Sequence, residues 1–350
     1  AVGYNALSTE DVGQHNVAIG RDALAAQNTA TAANIYNVAV GSSAGTAVTT
    51  GVNNTLIGGV AGDAITIGNE NTALGYNSLG ANVSGDRSTA IGYGALAAQN
   101  DGTSTYDANN TAVGYNAMAT ISTGLRNVAV GAGALDAEDT GSRNVAIGFS
   151  ALSTLNYDGS GYNVAVGYDA GAAVTTGTNN TLIGSQAGDA LDTGDNNSVL
   201  GASALGAATK SDRNVAVGKD ALTTLNHTTQ TDSYNIAVRF QSGLVMTTGV
   251  ENTLIGGLAG DALVDADYNV AVGMYSLTTD TYGSRSVALG YSALSTQNFA
   301  TATQSHNVAV GFQAATALTT GIQNVAIGSG ALDTTTSANY QTAVGHEALY

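Results

Sequence analysis

The sequence predicts an all-β protein, a parallel β-solenoid (β-roll) of about 20 coils with a 17-residue repeat. Three observations carry this expectation. A motif N-x-A-h-G, with h aliphatic, recurs along the whole chain, as "NVAIG" at 16–20, "NVAVG" at 37–41, "NTLIG" at 54–58 and "NTALG" at 71–75, down to "QTAVG" at 341–345. Counting the truncated "AVG" at the start there are 20 copies, and their glycines usually stand 17 residues apart. Self-similarity at a fixed period is the signature of a repeat architecture. Finally, short β-branched runs among 46 glycines defeat any 3.6-residue pattern, so helices are not expected.

One unit reads N-[VT]-A-[VI]-G-x-x-A-L-x-x-x-x-T-G-x-x, here numbered 1 to 17. Positions 1–4 form a short strand bounded by Gly. Both of its faces are apolar: Thr or Val and then Val, Ile or Leu on one, Ala or Leu56, Leu182 and Leu254 on the other. A strand of that kind is expected to be covered on both sides. The Gly at position 5 marks a positive φ or a close backbone approach. "A-L" at positions 8 and 9 reads as a second, weaker strand segment, and the Gly at position 15 closes the other turn. The Asn at position 1 predicts a structural ladder through Asn16, Asn37, Asn54, Asn71, Asn127 and Asn144, each amide bonding the next coil. Asn also tolerates the left-handed backbone that a corner needs.

A single coil of this composition buries little apolar area against the entropy of ordering it. Burial of the second strand face by partner chains would supply the difference, so an obligate oligomer is expected, a homotrimer.

Five steps between glycines are longer than 17, at 19, 21 or 22 residues. They place insertions near 25–36, 98–109, 154–162, 224–234 and 296–306, mostly four coils apart. Insertions in solenoids emerge on one face, often the binding face. Position 17, just before the Asn, holds five of the nine basic residues, Arg87, Arg126, Arg143, Arg213 and Arg285, while an aromatic or His usually ends an insertion. This column is either a surface ladder tying coils together or an aromatic and cationic stripe for a polysaccharide or receptor. The candidate receptor or glycan contacts are Tyr36, Tyr106, Tyr162, Tyr234, Arg239 and His306. Arg239 stands where Gly is otherwise the rule, directly after the fourth insertion. The expectation is that the insertion reshapes that corner and lifts the constraint.

Other functions are disfavoured. A net charge of −17 opposes nucleic-acid binding, which needs clustered Lys and Arg. No apolar run approaches the ~18 residues of a spanning segment, so membrane insertion is not expected. There is no Cys for thiolate chemistry, and His15, His227, His306 and His346 share no ligand spacing. No nucleophile motif or P-loop occurs. An enzyme is not expected: a depolymerase would need a carboxylate pair across a sugar, and no coil looks specialised for one. "AGDA" recurs with Asp63, Asp189 and Asp261, read as a turn Asp in preference to a weak cation ladder; no cofactor is expected, with calcium the weak alternative.

"SVALG" at 286–290 and the "NVAIG" and "NVAVG" copies resemble the head repeats of trimeric autotransporter adhesins. "NTAVGYNAMATISTGLRNVAVGAGAL" at 110–135 resembles the N-T-A-V-G-Y-N-A-L arrays of phage tail fibres and large bacterial surface proteins. The resemblance covers essentially the whole chain, although the adhesin heads repeat at a shorter period. It implies a homotrimeric fibre shaft, extracellular, on a virion or a cell surface, that displays loops to a host glycan or receptor. Residues 1–350 are expected to form one repetitive shaft. The chain begins and ends inside repeats without the capping units a solenoid needs, so a longer parent chain is expected.

Overall fold

The computed structural model describes residues 1–100 and 106–349. The described chain is all-β without helix, a parallel β-solenoid of about 19 turns at a 17-residue spacing. Five residues of the second insertion, 101–105, and the terminal Tyr350 lie outside the described residues. The chain divides into two compact units, Ala1–Thr176 and Gly177–Tyr350.

The first unit contains nine three-residue strands among its described residues, from Val17–Ile19 to Val164–Val166. The second contains ten, from Thr181–Ile183 to Thr342–Val344. Each strand pairs in parallel with its counterpart one coil away, like position on like: Val128 meets Val145, Ala129 meets Ala146, Val130 meets Ile147. The register survives the insertions, where Thr89 still meets Thr111 and Val215 still meets Ile236. The truncated first copy contributes only a bridge from Val2 to Ile19.

Position 3 of the strand points inward; Ala39, Leu56, Ala112 and Ala216 are fully buried. Positions 2 and 4 are not covered by the chain. Val17, Ile19, Leu74 and Leu200 are 42%, 44%, 44% and 50% exposed, so each strand is covered on one side only. The physical reason is direct: the coil's remaining residues fold over the position-3 face and leave nothing to cross the other.

The Gly of position 5 is required twice over. Its φ lies between +127° and +150° throughout, and a Cβ on Gly58 or Gly131 would collide with the carbonyl of the corresponding Gly one coil on. At position 15 only the close approach applies: Gly51 has an ordinary φ, but its Cβ would strike the Gly68 carbonyl.

"A-L" is not a strand. Positions 8 and 9 lie in a turn, with Leu24, Leu96 and Leu152 at φ near +50° and their side chains fully buried. Inward-facing Leu outweighs the local preference for a negative φ because its side chain fills the coil's centre. Where position 3 is Leu, position 9 becomes Gly. A Cβ on Gly62 would meet Leu56 Cδ2 at 2.8 Å, and one on Gly45, in the preceding coil, would meet Leu56 Cδ1 at 2.6 Å. Leu254 stands in the same relation to Gly260 and Gly243. Core volume is thus exchanged between two positions, a swap that cores accept with little penalty.

The Asn ladder is present, with a refinement. Asn37 Oδ1 accepts the Asn54 backbone N–H at 2.8 Å, Asn54 Oδ1 that of Asn71 at 3.0 Å, and Asn127 Oδ1 that of Asn144 at 2.8 Å. Asn16 Oδ1 accepts from Asn37 N at 3.0 Å in the same way. In most coils Nδ2 donates within its own coil, as Asn54 to Gly68 O at 2.8 Å and Asn127 to Gly141 O at 2.8 Å. Asn144 Nδ2 instead turns back to Ser142 O at 3.3 Å, and Asn16 Nδ2 is buried without a hydrogen-bond partner. No ladder Asn has a left-handed φ. That conformation falls on the residue before it, at position 17, where the chain rounds the corner.

Candidate functional site

The insertions leave the coil at position 12, and a change of chemistry there holds them. Most coils fill position 12 with a buried apolar side chain, such as Ile65, Ile121, Val174 or Leu263. Coils next to insertions often carry a polar one instead. Asp280, fully buried, accepts from Gly283 N at 3.1 Å, Phe299 N at 3.2 Å and Gln297 Nε2 at 2.5 Å. Gln297 Oε1 in turn receives Asn307 Nδ2 at 2.8 Å, which joins the loop to the Asn ladder. Glu138 does the same through Gly141 N and Tyr157 N, and Asn82 with Gln99 forms the uncharged version. Burial pushes the Asp280 and Glu138 carboxyls above their ordinary values, against the hydrogen bonds that oppose it. Glu10, at the first insertion and more open, goes the other way: desolvation raises it, but the bonds from Gly13, Gln27, Val12 and Thr29 together bring it down.

The loops return along position 17, the left-handed corner; the fourth does so without a polar anchor, since Leu225 and Ala208 fill position 12 there and in the coil before. Tyr36, Tyr162, Tyr234 and His306 all sit there with exposed side chains and φ between +49° and +56°. Tyr36 stacks on His15, centroids 5.0 Å apart. The Arg143 and Arg213 guanidiniums lie over Tyr162 and Tyr234, each at 5.5 Å, and Arg285 lies over Tyr268 at 4.8 Å. Arg87 pairs with Glu70 at 2.8 Å and with Asp107 of the returning loop. Stacked and paired side chains thus tie neighbouring coils together along this column.

Two candidates fall elsewhere. Tyr106 is half-buried in the strand Tyr106–Asp107, which pairs with Gly85–Asp86 and so lies before the corner. Loop length decides this: Tyr106 stands four residues ahead of Asn110, not one. Arg239 lies beyond the far end of its strand, five residues past Tyr234, about 15 Å away at strand rise. Its φ is +102°, so the corner is not reshaped and the positive-φ constraint is not lifted. The flanking strand keeps both neighbours in register, and that register holds the turn in place.

A second aromatic column was not anticipated. Position 6, directly after the Gly, stacks Tyr76 on Tyr93 at 5.5 Å and Tyr93 on Tyr115 at 5.4 Å, all three more than half exposed. Phe149 with Tyr168 and Tyr291 with Phe312 repeat the arrangement at 5.6 and 5.4 Å. The signal is legible in "GYNSL", "GYGAL" and "GYNAM" once the residues after Gly are aligned as a column. The exposed strand face is thus flanked by aromatic columns at both ends.

Asp63 and Asp261 sit in separate coils, each raised by burial, and Asp261 accepts Thr278 Oγ1 at 2.5 Å. Among the described residues no group of three or more His, Asp or Glu side chains could hold a metal ion. No helix among them is long and apolar enough to cross a membrane. Compared with known proteins, the chain matches no family model and no curated sequence.

Proposed function

We propose that this chain is a structural and adhesive fibre shaft, non-catalytic and homotrimeric, that displays its insertion loops to a surface glycan or receptor, as a phage tail fibre does. The observation that carries the reading is the exposed corner at position 17, where arginines and aromatic rings meet at the third and fourth insertions and again at Arg285 and Tyr268. Polar rings and guanidiniums on rigid backbone suit saccharide and carboxylate recognition. The uncovered β-branched strand face supports the homotrimer, because a regular apolar face of this kind marks an interaction surface. A bacterial cell-surface adhesin built on the same principle is the alternative setting, and both are extracellular.

Two measurements test the proposal. Light scattering of the refolded chain is expected to give three chain masses; a sharp monomer mass removes the trimer. A glycan array probed with the chain is expected to show binding that falls when Tyr162 and Tyr234 are replaced by Ala. A blank array leaves a passive spacer, with any binding tip elsewhere.

A further inference from the structure

The fourth and fifth insertions align residue for residue, so each shows what the other lacks. In the fourth, Asp232 of the returning strand forms an ion pair with Arg213. Two residues earlier, Gln230 Nε2 reaches Asp195 Oδ2 at 3.2 Å and Thr193 O at 3.4 Å, filling the space beneath. The second insertion repeats the ion pair through Arg87 and Asp107. In the fifth, the residues equivalent to Gln230 and Asp232 are Ala302 and Gln304. A hollow of about 190 Å³ opens there, lined by Asp267, Tyr268, Ser284, Arg285, Thr303 and Gln304 together with Ala302. The Arg285 guanidinium borders it, held 4.8 Å over the Tyr268 ring, and no carboxylate among the described residues is within ion-pair distance of it.

We propose that this hollow is a binding subsite for a carboxylate-bearing sugar, a uronic acid residue of an acidic glycan, with Arg285 taking the carboxylate. This rests on the glycan-attachment reading above and names its ligand class. Two sister loops display the chemistry: where the third residue before the Asn is Asp, as with Asp107 and Asp232, its carboxylate occupies the guanidinium, whereas Ser160 at that place in the third loop gives Arg143 a hydroxyl. Asp267 on the wall does not forbid an anion, since Asp195 holds the same position beneath Arg213 and Asp232 is bound there regardless. Asp267 Oδ1 is also engaged, accepting Val250 N at 2.9 Å. The Ser284 and Thr303 hydroxyls and the Gln304 amide offer the donors and acceptors that sugar hydroxyls need. Tyr268 fixes the guanidinium from one side, leaving its edge free for a bidentate contact.

The test is calorimetric titration of the full chain with a glucuronate-containing tetrasaccharide, its methyl ester and an acetylated Asp-rich peptide. Saturable binding of the free acid is expected, weakened about tenfold or more in Arg285→Ala, the loss of a charge-assisted contact. The double variant Ala302→Gln, Gln304→Asp copies the fourth loop, keeps the fold and is expected to lose binding equally by closing the site from within. Lys210→Ala, which removes one remote positive charge, is expected to bind as wild type. The proposal is overturned if the methyl ester binds as well as the acid, if Arg285→Ala binds unchanged, if the peptide binds as tightly as the sugar, or if the acid does not bind. In each of these cases, neutral glycans bound on the array would leave the attachment reading standing; a blank array would remove both.

Discussion

Arg239 holds φ at +102° in a column whose glycines lie between +127° and +150°. A non-Gly residue there is strained, at a cost of about 1–3 kcal/mol. Arg239→Gly is therefore expected to raise stability by about 1 kcal/mol after the added backbone entropy of Gly is allowed for. A shift in the denaturant midpoint reads this directly, and an unchanged midpoint would show an unstrained corner. At Asp280 the issue is charge. Burial holds its carboxyl above the ordinary 3.8, so the folded chain keeps a proton at a pH where the unfolded chain has lost it. Its contribution to stability is therefore greatest below the ordinary carboxylate range, falls as pH rises toward the raised folded value, and levels off above it. Asp280→Asn, which places the amide already accommodated as Asn82, is expected to abolish that fall. Melting wild type and variant side by side from acid to neutral pH checks the sign. An unchanged pH slope in the variant would assign the titration elsewhere.

Among the elements, the corner and the ladder carry the specificity. Asn127 serves two buried backbone groups, the Asn144 N–H and the Gly141 carbonyl. Asn127→Ala strands both, and unsatisfied buried groups cost about 1–3 kcal/mol each. Loss of about 2–5 kcal/mol is expected, with amide exchange accelerated first at Asn144. The strand, the Gly corner and the Asn column were legible in the sequence because each recurs at a fixed position in the repeat. The A-L segment was not, since buried Leu at positive φ contradicts every local preference and only the filled centre of the coil explains it. "AGDA" likewise drew attention to its Asp, when the required residue is the Gly that makes room for Leu56 or Leu254.

For the whole molecule, the periodicity that makes the fold readable obscures the site. Every coil repeats the same scaffold, so function has to reside in departures from it. The position-17 column was visible as a run of Arg and Tyr, whereas the stacked rings at position 6 were hidden behind the glycine that precedes them. The loops themselves share no obvious motif, and only their alignment exposes the difference between Asp232 and Gln304. The apolar face of the strand remains the largest consequence of the repeat. Charging it by Val128→Lys with Val145→Lys, two half-buried positions whose replacement disturbs little within one chain, is expected to lower the mass seen in light scattering from that of the proposed trimer to that of a monomer. Retention of the full mass would place the contact elsewhere.

The Asn ladder also has a direction. In the coil that begins at Asn54, Nδ2 latches to Gly68 of that same coil, and this fixes Oδ1 toward the one to come. A finished turn therefore offers a ready acceptor to its C-terminal successor, whose own side chain need not yet be in place. Growth in that sense follows the order in which a ribosome delivers the chain. Each new turn docks on a template that is already set, and the polypeptide can wind itself up as it is made.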